Sequence, residues 1–544
     1  MSRAILFGMF LIFSGLTAAG QEAHVHDHGP VQLDRVGKVE FAISCRDSVQ
    51  PRFNTAVAML HSFWYPAAEE AFSDVAKTDP GCAMAYWGIA MSRYHPLWAR
   101  PSDKDLEVAW EAVQKAVAIG GRTDRERSWI SAIEVFYKDY TTVDHVTRVE
   151  AYEKAMEALH QRYPQDREVA IFYALALQGT AAALPPDKNL VRQKKSAEIL
   201  EPIFAKYPDH PGLAHYIIHA CDYPPLAHRA LEAARRYAKI APDSAHAQHM
   251  PSHIFTRLGM WEDSIASNLD SAAAARKASD AGEELHAKDY LMYAYLQTAQ
   301  DAKAKQLLAS LTLPPETSYS YFQGVHAVAA MPARYAIERR EWKDAASLDL
   351  PVERLPGGRY SWAEANFYFA RGLGNARIGK PGEAKPALAR LEILRDVLLK
   401  EKEINWANQV EIQHRSVAAW IAFSEGQPEE ALKLMRAAAV LEDATEKHPV
   451  TPGPIVPARE LLGEMLLKMN RPSEATKEFE AVLTSTPNRF RALYGAARSA
   501  ELADESQRAR DFYTKLVELT KAGDGARPEI QQARRFLATQ ARLR

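Results

Sequence analysis

One spacing constrains this chain more than any other feature. "AAEEAFSDVAKTDP" places Ala68, Phe72 and Pro80 at offsets of four and eight. "SEATKEFEAVLTSTP" places Ala475, Phe479 and Pro487 at the same offsets, and Pro208 and Pro242 stand 34 residues apart. A small residue, a large apolar residue one helical turn later and a proline after that describe the second of two packed helices. The small residue lets the helices approach closely, the large one fills the seam with the next pair, and the proline ends the helix. A period of this length makes the chain an array of helix pairs.

With 47% hydrophobic and 25% charged residues the chain can bury a core. Strand signals are nearly absent, so the expected fold class is all-α. The landmarks resemble the tetratricopeptide repeat family, which implies antiparallel helix pairs stacked into a superhelix. "CAMAYWGIAMSRYHPLW" and "HAQHMPSHIFTRLGMWEDS" are similar to segments of exported bacterial repeat proteins of that kind, a resemblance that implies fold and compartment but no activity. Pro-rich breaks at 181–189, 311–324 and 448–457 suggest sub-arrays. The expected organisation is a signal peptide (1–20), a flexible His-containing segment (21–47), an N-terminal array (48–310), middle repeats (311–447), and C-terminal repeats with a polar capping helix (448–544).

The N-terminus places Arg3 before the apolar run "AILFGMFLIFSGL" and small residues after it, the pattern of a signal peptide. No other run is long enough to cross a bilayer. The expected location is therefore exported, periplasmic or secreted, with no membrane span in the mature chain. Lys+Arg number 67 against 69 Asp+Glu, so no basic excess points to nucleic acid. Export permits disulfides; of Cys45, Cys82 and Cys221, a Cys45–Cys82 bridge across the first repeat is the plausible pairing.

Seven of eighteen histidines fall between His210 and His253. With the frame fixed by Pro208 and Pro242, His215 is equivalent to His249 and His219 to His253. Each repeat then carries a His-x-x-x-His pair on one face of its first helix. The family frame turns those positions, with His246 one turn earlier, into the concave groove. One repeat on, His286 and Asp289 occupy the sites equivalent to His246 and His249. The candidate patch is His215, His219, His246, His249, His253, His286 and Asp289, with Asp222 and Tyr223 as possible supporting partners; His210 and His228 fall outside it. Imidazoles with a carboxylate suit Zn or Cu. The same side chains also suit an organic or peptide ligand, or a wet helix face with no ligand at all. Pro251 should kink this helix or start a new segment. Met-Pro recurs at Met331-Pro332, where Ala330 and Arg334 replace His249 and His253, so the scaffold itself does not demand histidine.

A second set, His61 with His95 and Trp64 with Trp98, also recurs at 34 residues. It reads as inter-repeat packing or as an aromatic pocket with two polar handles. "HVHDHG" at 24–29 is a loose metal-binding tract or solvated tail. No HExxH, GxSxG, phosphate loop or dinucleotide fingerprint is present, so no catalytic residue is assigned. Two functions follow: a scaffold that binds a protein or peptide in its groove, or a divalent-metal protein or metal-dependent enzyme built on the histidine patch.

Overall fold

The computed structural model describes residues 35–97, 100–313, 321–349 and 360–542. The expected signal peptide, the HVHDHG tract and Trp98 lie outside the described residues. Within them there is no strand. Helices follow one another in antiparallel pairs, from Gln50–His61 with Tyr65–Thr78 to Phe490–Leu502 with Ser506–Leu519, closed by Pro528–Arg542. Each packs on its sequence neighbours. The architecture is the tetratricopeptide-like helical solenoid that the spacing predicts. No helix among the described residues is long and apolar enough to cross a membrane.

The repeat landmarks do what their sizes require. Phe72 is fully buried, and a Cβ built on Gly88 would lie 2.3 Å from its ring. Phe479 meets Gly495 in the same way, at 2.4 Å. Adding a methyl at either glycine overpacks the seam, at a cost of about 1–3 kcal/mol.

Two features depart from expectation. The described part of the segment expected to be flexible, from Arg35, is packed. Val36 and Phe41 are buried, and Phe41 rests on Phe53, Trp87 and Trp129 with ring centroids 5.1–5.5 Å away. Apolar side chains at 36, 39 and 41 outweigh the flexibility that the polar residues before them suggested. Cys45 is bonded to Cys82 with Cα atoms 5.1 Å apart, tying this segment to the first repeat.

The second departure is larger. Stacked repeats ordinarily touch only their neighbours, but here the superhelix closes on itself. Trp261 Nε1 donates to the Asn488 carbonyl at 2.8 Å, and the Phe490 amide donates to Gln297 Oε1 at 3.0 Å. Buried Arg489 binds Glu460 at 2.6 Å and also pairs with Glu338. The 448–457 segment does more than separate sub-arrays. Val450, Ile455 and Val456 are buried, and its carbonyls accept from Tyr290 of the N-terminal array at 3.2 Å and from Arg334 of the middle repeats at 2.9 Å. The expected open groove is therefore roofed at the level of the histidines.

Candidate metal centre

Three first helices bring the histidines together. Pro211–Cys221 carries His215 and His219. Ala245–His249 carries His246 and His249, and a new segment, Pro251–Arg257, carries His253. Met250 between them keeps helical angles (φ −53°, ψ −36°), so Pro251 interrupts the hydrogen-bond ladder without turning His253 away from His249. Ala281–Gln297 carries His286 and Asp289.

Six of the seven predicted residues form two adjoining triads. In the first, His219 Nε2 lies 3.0 Å and His246 Nε2 3.2 Å from His215 Nε2. In the second, His249 Nε2 lies 3.0 Å from His253 Nε2, and the His286 ring sits 4.2 Å from that of His249. Within each triad, one ligand atom per residue falls inside a 4.8 Å span. The triads approach through His219 and His253, with ring centroids 6.3 Å apart. Phe63, from the first repeat, walls the first triad, stacking on His219 and His246 at 5.5 and 5.8 Å.

The outer ring nitrogens fix the proton positions. His215 Nδ1 faces the His61 carbonyl at 2.6 Å. His249 Nδ1 faces Asn268 Oδ1 at 2.7 Å, and that amide is oriented because its Nδ2 donates to the Ser264 carbonyl. His253 Nδ1 faces Asp222 Oδ2 at 2.9 Å. Each partner is an acceptor, so each Nδ1 carries the proton and each neutral ring turns a bare Nε2 lone pair inward. At His249 and His253 two such lone pairs face each other. Burial pushes the pKa of both rings down, only partly offset at His253 by Asp222, so a second proton does not resolve the conflict near neutral pH. Burial and mutual repulsion likewise hold His215, His219, His246 and His286 well below the usual histidine range. Imidazole nitrogens bound to one cation at about 2.0–2.1 Å stand about 2.9 Å apart at a right angle and about 3.4 Å apart at the tetrahedral angle. The separations from His215 to His219 and His246 and between His249 and His253, 3.0–3.2 Å, fall between these values.

Three sequence expectations change. The histidines do not line an open groove: His215, His249, His253 and His286 are buried, and only His219 is partly exposed. Asp289 is not a member of either triad. Its carboxylate lies 3.6 Å from Arg334 and 3.4 Å from His326, because a completely buried guanidinium needs a counter-charge. Tyr223 supports no histidine and accepts instead from Gln193. Asp222 does support the centre, and is itself held by Arg257 at 2.8 Å and Lys447 at 2.9 Å. Burial alone would raise the Asp222 pKa; Lys447, Arg257 and His253 together hold it well below the carboxylate range.

Among the described residues of the aromatic set, His61, His95 and Trp64 turn to different surroundings. His95 faces the Ser92 carbonyl at 3.1 Å and the Tyr65 ring, Trp64 is half-buried at a helix start, and His61 turns inward. There His61 builds a third cluster that sequence reasoning missed. Glu168 accepts from His61 Nε2 at 3.0 Å and from His210 Nε2 at 2.9 Å, while Tyr216 meets His61 Nδ1 at 3.0 Å. Gly212 permits this, since a Cβ there would lie 2.5 Å from the His61 ring. The available signal was one glutamate in the otherwise apolar stretch "EVAIFYALAL". Also missed were Asn268, Tyr290, whose hydroxyl lies 3.3 Å from His253 Nε2, Glu446, which pairs with Arg257 at 2.6 Å, and Lys447; the last two lie just before a Pro-rich loop and reach the centre only because the superhelix closes.

Fold and site together define an all-α repeat solenoid with a roofed, imidazole-lined centre. No protein-family model and no curated sequence matches the chain. Among solved structures it is similar to the Cut9–Hcn1 hetero-tetramer of the APC/C, at 12% identity over 90% of this chain and 89% of that one, with a TM-score of 0.33. It is also similar to the human IFIT1 dimer with m7Gppp-AAAA, at 10% identity over 81% and 90%, TM-score 0.34. A monomeric IFIT1 mutant with the same RNA covers 80% and 90% at 10% identity, TM-score 0.35. Likeness at this level carries no argument about function; the helix pairs and side-chain geometry of this chain carry it.

Proposed function

We propose that this chain is an exported, metal-binding repeat protein whose two buried histidine triads hold Zn²⁺, Cu²⁺ or a similar borderline cation. The carrying observation is the pair of inward Nε2 atoms of His249 and His253, 3.0 Å apart, with both Nδ1 protons committed to acceptors. Two lone pairs at that distance repel; a cation between them turns the repulsion into two bonds. The outer partners, a carboxylate, an amide oxygen and a backbone carbonyl, are the groups that usually orient metal-bound imidazoles. All-imidazole ligation favours zinc, copper, nickel or iron over magnesium or calcium. The Cys45–Cys82 bridge supports an oxidising compartment. A protein or peptide partner, as expected of a repeat scaffold, would engage other surfaces, because the histidines lie beneath the 444–457 strap.

Metal analysis of protein purified without a histidine tag tests the reading. Near-stoichiometric zinc or copper, at one or two ions per chain, is expected. Protein that stays metal-free after exposure to either ion, yet remains folded, would sink it.

A further inference from the structure

A cavity of about 60 Å³ lies against His219, the partly exposed ligand of the first triad. Its walls include Gln178, Gln193, Asp222, Arg257, Glu446 and Lys447. The charged walls are already matched. Arg257 is bound to Asp222 at 2.8 Å and to Glu446 at 2.6 Å, and Lys447 to Asp222 at 2.9 Å. Two cations face two carboxylates, so the lining recruits neither an anion nor a cation.

The unmet demand comes from the two amides. Gln178 and Gln193 are 4% and 6% exposed, and the Oε1 atom of each is buried without a hydrogen-bond partner among the described residues. The orientation of Gln178 is forced. Its Nε2 donates to the Tyr216 carbonyl at 2.9 Å, which can only accept, and to Ser196 Oγ at 2.7 Å, whose own proton goes to the Ala174 carbonyl. Gln193 Nε2 donates to Tyr223 at 3.2 Å. Buried acceptors of this kind are costly unless something donates to them.

We infer that this cavity binds a small neutral polyol, whose hydroxyls donate to Gln178 and Gln193 while one hydroxyl oxygen reaches the cation held by His215, His219 and His246. The inference rests on the metal reading of that triad. Three histidines leave a borderline cation short of its usual four ligands, and a hydroxyl oxygen can complete the set. A carboxylate ligand would point like charge at the amide oxygens, and an ammonium would add positive charge beside the metal. At about 10–15 Å³ of such space per water, the cavity takes about four to six non-hydrogen atoms, the size of glycerol and below that of a sugar ring.

The full chain loaded with Co²⁺ and titrated with glycerol or 1-propanol tests this. Glycerol should shift the visible Co²⁺ bands saturably, with 1-propanol at least about tenfold weaker, since its single hydroxyl cannot serve both amides and the cation. Gln178→Leu should raise the glycerol half-saturation about tenfold or more with Co²⁺ content unchanged. Should that variant fail to take up Co²⁺, Gln193→Leu on the other wall makes the same comparison. Absent shifts, equal responses to the two alcohols, or an unchanged half-saturation in a Co²⁺-loaded variant overturn the inference and leave the metal reading standing. If the wild-type chain takes up no Co²⁺, zinc or copper, the metal reading fails. Calorimetry with glycerol on the metal-free chain then decides the cavity alone: binding weakened by Gln178→Leu sustains it, and no heat of binding overturns it.

Discussion

Two histidine clusters stand side by side in this molecule and solve opposite problems. In one, Glu168 accepts a hydrogen bond from His61 on one carboxylate oxygen and from His210 on the other, so every inward-facing N–H has an acceptor. In the other, the acceptors Asn268 and Asp222 sit behind His249 and His253, the protons follow them outward, and two lone pairs are left face to face. Residue type and burial are shared. Under the proposed function, the hydrogen-bond partner on the far side of each ring distinguishes a structural histidine from a ligand. The clusters even touch, since the His61 carbonyl receives His215 Nδ1.

The sharpest way to break this contrast is to remove the facing pair. A His249→Ala/His253→Ala variant should lose the metal of the second triad, read as at least one ion fewer per chain. Glu168→Gln should keep the wild-type metal content, because the bridge it alters needs no ion. Equal metal loss in both variants would erase the distinction between the clusters.

Removing the Glu168 carboxylate still has a large effect, on stability. Glu168→Ala leaves two buried ring N–H groups without their acceptor, and breaking a buried charged network in this way costs about 3–5 kcal/mol. Denaturant unfolding of the metal-loaded protein should show that loss, with Glu168→Gln less affected because an amide oxygen can still accept from one ring. A Glu168→Ala protein as stable as wild type would mean that the bridge is decorative.

Acid should separate the clusters as well. Burial pushes His61 down to about 4 and holds the triad histidines well below their usual range. Between pH 6.5 and the folded pKa the unfolded chain binds more protons than the folded one, so stability rises with pH and is lost as pH falls through that window. For His61 alone, the loss between pH 7 and pH 5 is about 2 kcal/mol. Burial by itself would raise the pKa of Glu168, but His210 and His61 hold it well below the usual carboxylate range. Its contribution is therefore present above its unfolded pKa and lost only in stronger acid. The metal-free protein should lose thermal stability from about pH 6.5 downward, and bound metal, which competes with protons for Nε2, should move that onset to lower pH. Identical pH profiles with and without metal would count against the triads as ligands.

How much of this was legible in the sequence follows from the range of each interaction. The 34-residue offset of His215/His219 and His249/His253 is a property of the repeat, so their common face could be read directly. So could the difference between the two Met-Pro copies. In the second, Arg334 stands where His253 would be and supplies a fixed positive charge to Asp289 and a donor to the Pro454 carbonyl at 2.9 Å. The roof was not legible. Asp222 meets Lys447 across 225 positions, and Trp261 meets Asn488 across 227, distances that no local period encodes. Asp289 was misassigned for the same reason, because the repeat frame predicts which face a carboxylate occupies but not which cation from another repeat will claim it.

The smallest predicted change is also the most specific. Asp222→Asn keeps the size of the side chain and an acceptor for His253 Nδ1, but removes the charge that Arg257 and Lys447 hold in place. Supporting partners of metal-bound histidines usually contribute 10–100-fold in metal affinity. Competition with a chromophoric chelator should therefore show a loss of about tenfold, toward the lower end because the acceptor is retained. The corresponding swap in the other cluster, Glu168→Gln, should leave the affinity within about twofold, because Glu168 touches no triad histidine and the His61 carbonyl that meets His215 Nδ1 is backbone, which the substitution does not change. The two amides thus ask the same chemical question of neighbouring histidines, and only the one behind a ligand should alter metal affinity.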